Sequence, residues 1–285
     1  MNPEATLSYE ARVRNRQVAM AALAGILLIA AAAIQLSGPH TKVDELTVDL
    51  ITANQRFPLD LIASVVNAVA SLAIAGTLSH LMVSVRNRNS EIKPYIRILA
   101  IVGGVVAAIT GIVYAIVVAL KVHQFVTTGA QTYSEANHLT SAPGLLVLQL
   151  LGQLGALILA VAFVLVALNA MRVGLLSKFM GYLGIFAGVL TLFQITQIPV
   201  VQGYWLAAVA YLLSGRWPTG MPPAWTTGRA EAWPSSAELR ARRAAGAGAK
   251  PTAKPVATPE PQTAGGPAAG RTRATTSKRK RKRRS

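Results

Sequence analysis

Apolar residues gather in long runs along the chain, each stopped by a short polar or proline-bearing stretch. The runs are Val18 to Leu36, Leu59 to Val85, Ile96 to Leu120, Gly144 to Ala170 and Phe179 to Leu213. The first four match the roughly 20 residues with which a helix crosses a hydrocarbon core ~30 Å thick. The fifth holds 35 residues, which as one helix would be about 52 Å long. It is read as two short crossings, because Gln194, Thr196 and Gln197 interrupt it and Pro199 can open a new helix. The pattern predicts an all-α polytopic bundle of six transmembrane helices within 17–215, with spans near 18–36, 59–85, 96–120, 144–170, 179–195 and 199–213.

Cations orient the spans. The turn Met171 to Lys178 is too short to be a folded loop, so two helices reverse there, and Arg172 and Lys178 place the reversal in the cytoplasm. Arg12, Arg14 and Arg16 mark a cytoplasmic N-terminus at 1–16, and Arg86, Arg88, Lys93 and Arg97 mark the turn after the second span. Stretches on the other side hold only Lys42, Arg56 and Lys121. The first run exceeds the ~7–15 residues of a signal-peptide core and is read as an uncleaved span. Ser37 to Pro58 and Lys121 to Pro143 are predicted as outer loops. The expected location is the cell membrane, with both termini cytoplasmic.

Composition agrees with a lipid-embedded chain: 52% of residues are hydrophobic and 14% charged. The absence of cysteine excludes disulfides, thiolate metal sites and dithiol redox chemistry. Of 28 Lys and Arg, 16 lie from Arg216 onward, against 3 of 11 Asp and Glu. That segment, 216–285, is rich in Pro, Gly, Ala and Thr and is predicted to be a disordered basic cytoplasmic tail. No internal repeat relates the first three spans to the last three.

Polar residues within the spans supply the candidate site. Asp60, Ser64, Asn67 and Ser71 fall at helical spacing on one face of the second span. Gln149 and Gln153 are one turn apart on the fourth, at a depth close to that of Asn67. One reading is an outward-facing vestibule for a small ligand. The other is that these uncharged groups bond neighbouring helices and hold the bundle together. Small residues at Gly184 and Gly188, and at Ser71, Ala75 and Ser79, allow close helix contact. Asp, Glu, Lys and Arg are missing from mid-span, so no proton relay is expected.

No catalytic, cofactor-binding or metal-ligating residue is assigned. His40, His123 and His138 fall in the expected outer loops without the close spacing of a metal site. No hydrolase, metalloprotease, nucleotide or dinucleotide fingerprint occurs. Trp217, Trp225 and Trp233 recur every eight residues beside prolines and suit a segment lying along the inner membrane surface. At the terminus Lys278, Arg279, Lys280, Arg281, Lys282, Arg283 and Arg284 form an unbroken cationic run. Such a run attracts anionic lipid headgroups. Nucleic acid is the alternative partner, held nonspecifically by counterion release.

Between Gln149 and Pro234 the chain is similar to a family of bacterial six-span membrane proteins of actinobacterial type, a family with no assigned activity. The residues carrying this are Gln153-Leu154-Gly155, Leu168 to Leu176, Phe179-Met180-Gly181-Tyr182-Leu183-Gly184, Pro199-Val200-Val201-Gln202, Gly215-Arg216-Trp217-Pro218 and Pro222-Pro223-Ala224-Trp225. The resemblance implies a six-helix membrane protein of bacterial origin. The expected function is a non-enzymatic bundle with a basic tail for the membrane surface or a partner. The alternatives are a small-molecule transporter or sensor using the vestibule and, third, a membrane enzyme with a site in the outer loops.

Overall fold

The computed structural model describes residues 3–39, 45–193, 199–218, 220–231, 233, 240–241 and 244. The chain divides into two units, Met1–Pro234 and Ser235–Ser285. The first contains, among the described residues, helices only: α1 (Pro3–Leu36), α2 (Leu46–Arg88), α3 (Tyr95–Thr127), α4 (Tyr133–Thr140), α5 (Pro143–Arg172), α6 (Lys178–Phe193), α7 (Val200–Leu213) and α8 (Pro223–Thr227). Helices α1, α2, α3 and α5 are long and apolar enough to cross a membrane. With 16 and 14 residues, α6 and α7 are about 24 and 21 Å long, shorter than a ~30 Å core.

Successive long helices pack antiparallel, and small residues set the contacts. Glycines 103 and 104 of α3 point to different neighbours: Gly104 lies on Ser71 and Ala75 of α2, and Gly103 on the Leu159 backbone of α5. A side chain at either position would separate the pair, so α3 wedges between α2 and α5. Gly184 and Gly188 of α6 use the same geometry against Ala167, Ala160 and Phe163 of α5. Helix α7 returns along α1, where Gly203 meets Gly25 and Ile29. The cationic turns thereby gather at one end, called here the basic end.

The main core lies towards that end, with Leu78, Leu81 and Met82 of α2, Phe163 and Val166 of α5, and Trp205 of α7 wholly or almost wholly buried. Trp205 donates Nε1–H to the Met180 carbonyl at 2.9 Å and packs its ring 4.6 Å from that of Phe163. A large aromatic near the middle of a short helix thus joins α7 to α6 and α5 together.

Three expected loops or tails differ from the reading of the sequence. The stretch 37–58 is not a loop throughout: α2 begins at Leu46 and runs through Pro58. Leu50 explains this, because it is buried with Val122, Phe125 and Ala136 in a second small core, which offsets the hydrogen bond Pro58 cannot donate. The stretch 121–143 likewise carries the end of α3 and all of α4. Helix α4 starts at the Thr132 side chain, which accepts from the Glu135 backbone N–H at 3.3 Å, while Glu135 accepts from the Gln131 N–H at 3.0 Å.

The third difference concerns Arg216, where order does not end. Trp217 and Trp225 pack on the main core instead of lying along a surface, and Ala224 is fully buried in α8. Gly174 makes room for this segment: its φ is +80°, and a Cβ there would collide with the Glu231 carbonyl, while the Glu231 N–H donates to the Val173 carbonyl at 3.2 Å. His40, Lys42, Asp44, Gln194, Thr196, Gln197 and the cations Lys278 to Arg284 lie outside the described residues.

Candidate functional site

Polar chemistry collects at the two ends of the bundle. At the end opposite the cations, α1, α2 and α3 enclose a cavity of about 340 Å³. Asp60 and Ser64 from the expected vestibule line it, together with Gln35, Arg56 and Tyr114. Arg56 and Asp60 sit one helical turn apart on α2, and Arg56 Nη2 lies 3.1 Å from Asp60 Oδ1. The same nitrogen donates to the Gln35 carbonyl at 2.6 Å and so ties α2 to the end of α1. Ser64 uses its hydroxyl locally, donating to the Asp60 carbonyl at 2.8 Å. Phe57 and Val118 contribute apolar wall.

The remaining vestibule residues do not join them. Antiparallel register from the Gly104 to Ser71 and Gly155 to Ala107 contacts places Asn67 and Gln153 both level with the 109–110 region of α3. Their depths agree, as expected, but α3 stands between their helices. Asn67, Gln149 and Gln153 are exposed on the bundle surface, and Ser71 is buried against Gly104. A helical period tells which residues share a face without telling which neighbour that face meets. Arg56, Gln35 and Tyr114 were missed for the complementary reason. Arg56 lies in a stretch whose sequence predicts an outer loop, and only the continuation of α2 through Pro58 brings it to the cavity.

At the basic end, charge is buried and paired. Arg88 grips Glu10 with two nitrogens, Nη1 to Oε1 at 2.6 Å and Nη2 to Oε2 at 2.9 Å. Its Nε and Nη2 also donate to the Ala224 carbonyl at 3.0 and 2.8 Å, and its guanidinium lies 5.1 Å from the Trp225 ring centre. Trp225 in turn donates to the Leu175 carbonyl at 3.0 Å in the turn before α6. One arginine therefore links α1, α2 and α8, and through Trp225 the α5–α6 turn. Arg14 adds a second strap, donating to the Leu213 carbonyl at 2.6 Å. Each guanidinium nitrogen of Arg88 is spent on structure, so this cluster reads as a seal.

A wider groove of about 500 Å³ runs along α7 and Trp217, lined by Tyr204, Ala207, Ala208 and Tyr211 without a charged group. Leu150, Leu120 and Phe186 on other helices are likewise exposed. Surface of that extent suits lipid contact. His123 and His138 are exposed, and among the described residues no three His, Cys, Asp or Glu side chains approach closely enough to hold a metal ion.

These features define an α-helical membrane protein with a sealed basic end and a small ionic cavity at the other. No protein-family model, curated protein or solved structure matches the chain.

Proposed function

We propose that the protein is a non-enzymatic integral membrane bundle that crosses the cell membrane six times and binds anionic lipid headgroups through its basic tail. The observation carrying this reading is that Arg14, Arg88, Arg97, Arg172 and Lys178 all lie at the ends of α1, α2, α3, α5 and α6 that face one side. The α6–α7 hairpin also starts and finishes there, and Glu231 is held against the α5–α6 turn. By the positive-inside rule that side is cytoplasmic. The basic tail then starts at the cytoplasmic surface, where each cation near an anionic leaflet is worth about 1 kcal/mol.

The test compares the full chain with a variant lacking Lys278 to Arg284, each held in neutral nanodiscs and offered phosphatidylglycerol vesicles. Deletion is expected to weaken vesicle binding about tenfold or more and to flatten its salt dependence. Unchanged binding would end the tail's role in lipid attachment. Tighter binding to single-stranded RNA than to vesicles at equal ionic strength would transfer the tail to nucleic acid.

A second reading is favoured by the cavity between α1, α2 and α3. An ion pair on its wall, at the end facing away from the cytoplasm, suits a small-molecule site for a sensor or transporter. It retains Asp60 and Ser64 from the expected vestibule and replaces Asn67 and Gln153 with Arg56 and Tyr114. Filling the cavity by Val118→Trp tests it: ligand responses that survive the substitution would place the site elsewhere.

A further inference from the structure

We infer that the cavity between α1, α2 and α3 holds the headgroup of a phospholipid bearing a primary ammonium, with the ammonium on Asp60 and the phosphate beside Arg56. This rests on the second reading above and names its ligand class. Depth is the first ground. Along α2, Asp60 lies about 39 Å from Arg86. A hydrocarbon core of ~30 Å with its headgroup layers spans ~40–45 Å. With Arg86 at the cytoplasmic boundary, the cavity falls in the opposite headgroup layer.

Charge arrangement is the second ground. Arg56 and Asp60 offer a cation and an anion side by side, with Nη2 and Oδ1 3.1 Å apart, and the pair is held in place because Nη2 also bonds the Gln35 carbonyl. A headgroup with adjacent phosphate and ammonium is the mirror image of such a pair. Asp60 is the open partner: its side chain is 42% exposed, against 18% for Arg56, and Oδ2 accepts no hydrogen bond among the described residues. A primary ammonium donates to that oxygen, which the trimethylated nitrogen of choline cannot do. Tyr114, across the cavity on α3, adds a hydroxyl that can donate to phosphate.

The walls are the third ground. Phe57 and Val118 border the cavity, and α3 on the side of it towards the middle of the bundle exposes Ile109 and Val113. A water-soluble zwitterion has nothing to place on such surface. A glycerolipid has its acyl chains, and they lead from the headgroup layer into the core.

The full chain, purified in micelles, is offered equimolar phosphatidylethanolamine, phosphatidylcholine and phosphatidylglycerol, and retained lipid is read by native mass spectrometry. Wild-type protein is expected to retain phosphatidylethanolamine about fivefold or more over either competitor. Asp60→Asn should reduce that preference to less than about twofold, and Asp60→Glu should restore much of it. Val118→Trp should abolish retention while leaving the melting temperature within a few degrees of wild type, so the result does not depend on Asp60→Asn folding.

Equal retention of phosphatidylcholine, or a preference unaltered by Asp60→Asn, overturns the assignment. Binding of water-soluble glycerophosphoethanolamine without retained lipid overturns the lipid and leaves the cavity as a solute site. Retention unaltered by Val118→Trp removes the cavity itself.

Discussion

Arg88 and Glu10, 78 positions apart in sequence, meet through two parallel hydrogen bonds at the basic end. The Arg88 side chain is 0% exposed and that of Glu10 8%. A pair so enclosed gains little over apolar replacements, yet breaking it strands a buried charge. Its consequence is geometric: the start of α1 is fastened to the end of α2, and through Ala224 to α8.

Glu10→Ala is therefore expected to cost about 3–5 kcal/mol, seen as a lower melting temperature of the protein in micelles. Glu10→Leu combined with Arg88→Met should recover a large part of that loss. A double variant no more stable than the single one would show that the stranded charge is not the cause.

Two glycines on α3 make a matched comparison. A Cβ at Gly103 would stand 2.5 Å from the Leu159 backbone nitrogen, whereas one at Gly111 would meet nothing within 4 Å. Gly103→Ala should lower thermal stability by an amount corresponding to about 1–3 kcal/mol or more, because backbone on α5 cannot step aside. Gly111→Ala should be neutral or stabilising by up to ~1 kcal/mol through helix propensity. Equal effects would contradict the α3–α5 contact.

Truncation separates the packed segment from the tail. Removing 235–285 should leave the melting temperature of the bundle nearly unchanged, since the two units are distinct. Removing 222–285 also takes away Ala224 and Trp225, leaving Arg88 without two of its hydrogen bonds. Loss of hydrogen bonds to a buried charged group costs roughly 1.5–3 kcal/mol. A drop of the same size in both truncations would show that α8 is not the sealing element.

Proposed topology is checked with single cysteines, for which this cysteine-free chain provides a clean background. A membrane-impermeant maleimide added to intact cells is expected to label Ser134→Cys on α4 and to spare Ser285→Cys until the cells are permeabilised. Labelling of Ser285→Cys in intact cells would remove the six-crossing arrangement.

Apolar runs mark where each long helix lies, although α1 starts at Pro3, α2 starts at Leu46 and α3 ends at Thr127, all beyond the apolar runs themselves. The end of α5 at Arg172, the start of α6 at Lys178 and the start of α7 at Val200 fall within two residues of the sequence expectation. Hydrophobic length is a property of the chain itself, so it survives into the fold. Polar stretches were read less well, because whether Leu46 to Pro58 is helical depends on Leu50 finding Val122 and Phe125, some 70 residues away. The start of α4 does carry a local signal, since Thr132 and Glu135 have the spacing of a helix-starting box.

The candidate site shows the same division. Helical spacing puts Asp60 and Ser64 on one face, and both line the cavity, whereas Asn67 and Gln153 are exposed on the bundle surface. The partner of each face was not readable. Gly103 and Gly104 insert α3 between α2 and α5, and so decide that Asp60 shares a cavity with Arg56 and Tyr114 while Gln153 faces outward.

The sequence by itself determined the all-helical apolar class, the positions of the long apolar runs and the clustering of cations at alternate turns, all of which depend on composition counted along the chain. Tertiary structure alone decided that Arg88 is buried on Glu10, that order continues beyond Arg216, and that an ionic cavity forms opposite the basic end. Those outcomes depend on which surfaces approach closely, and close approach is set by small side chains on several helices at once.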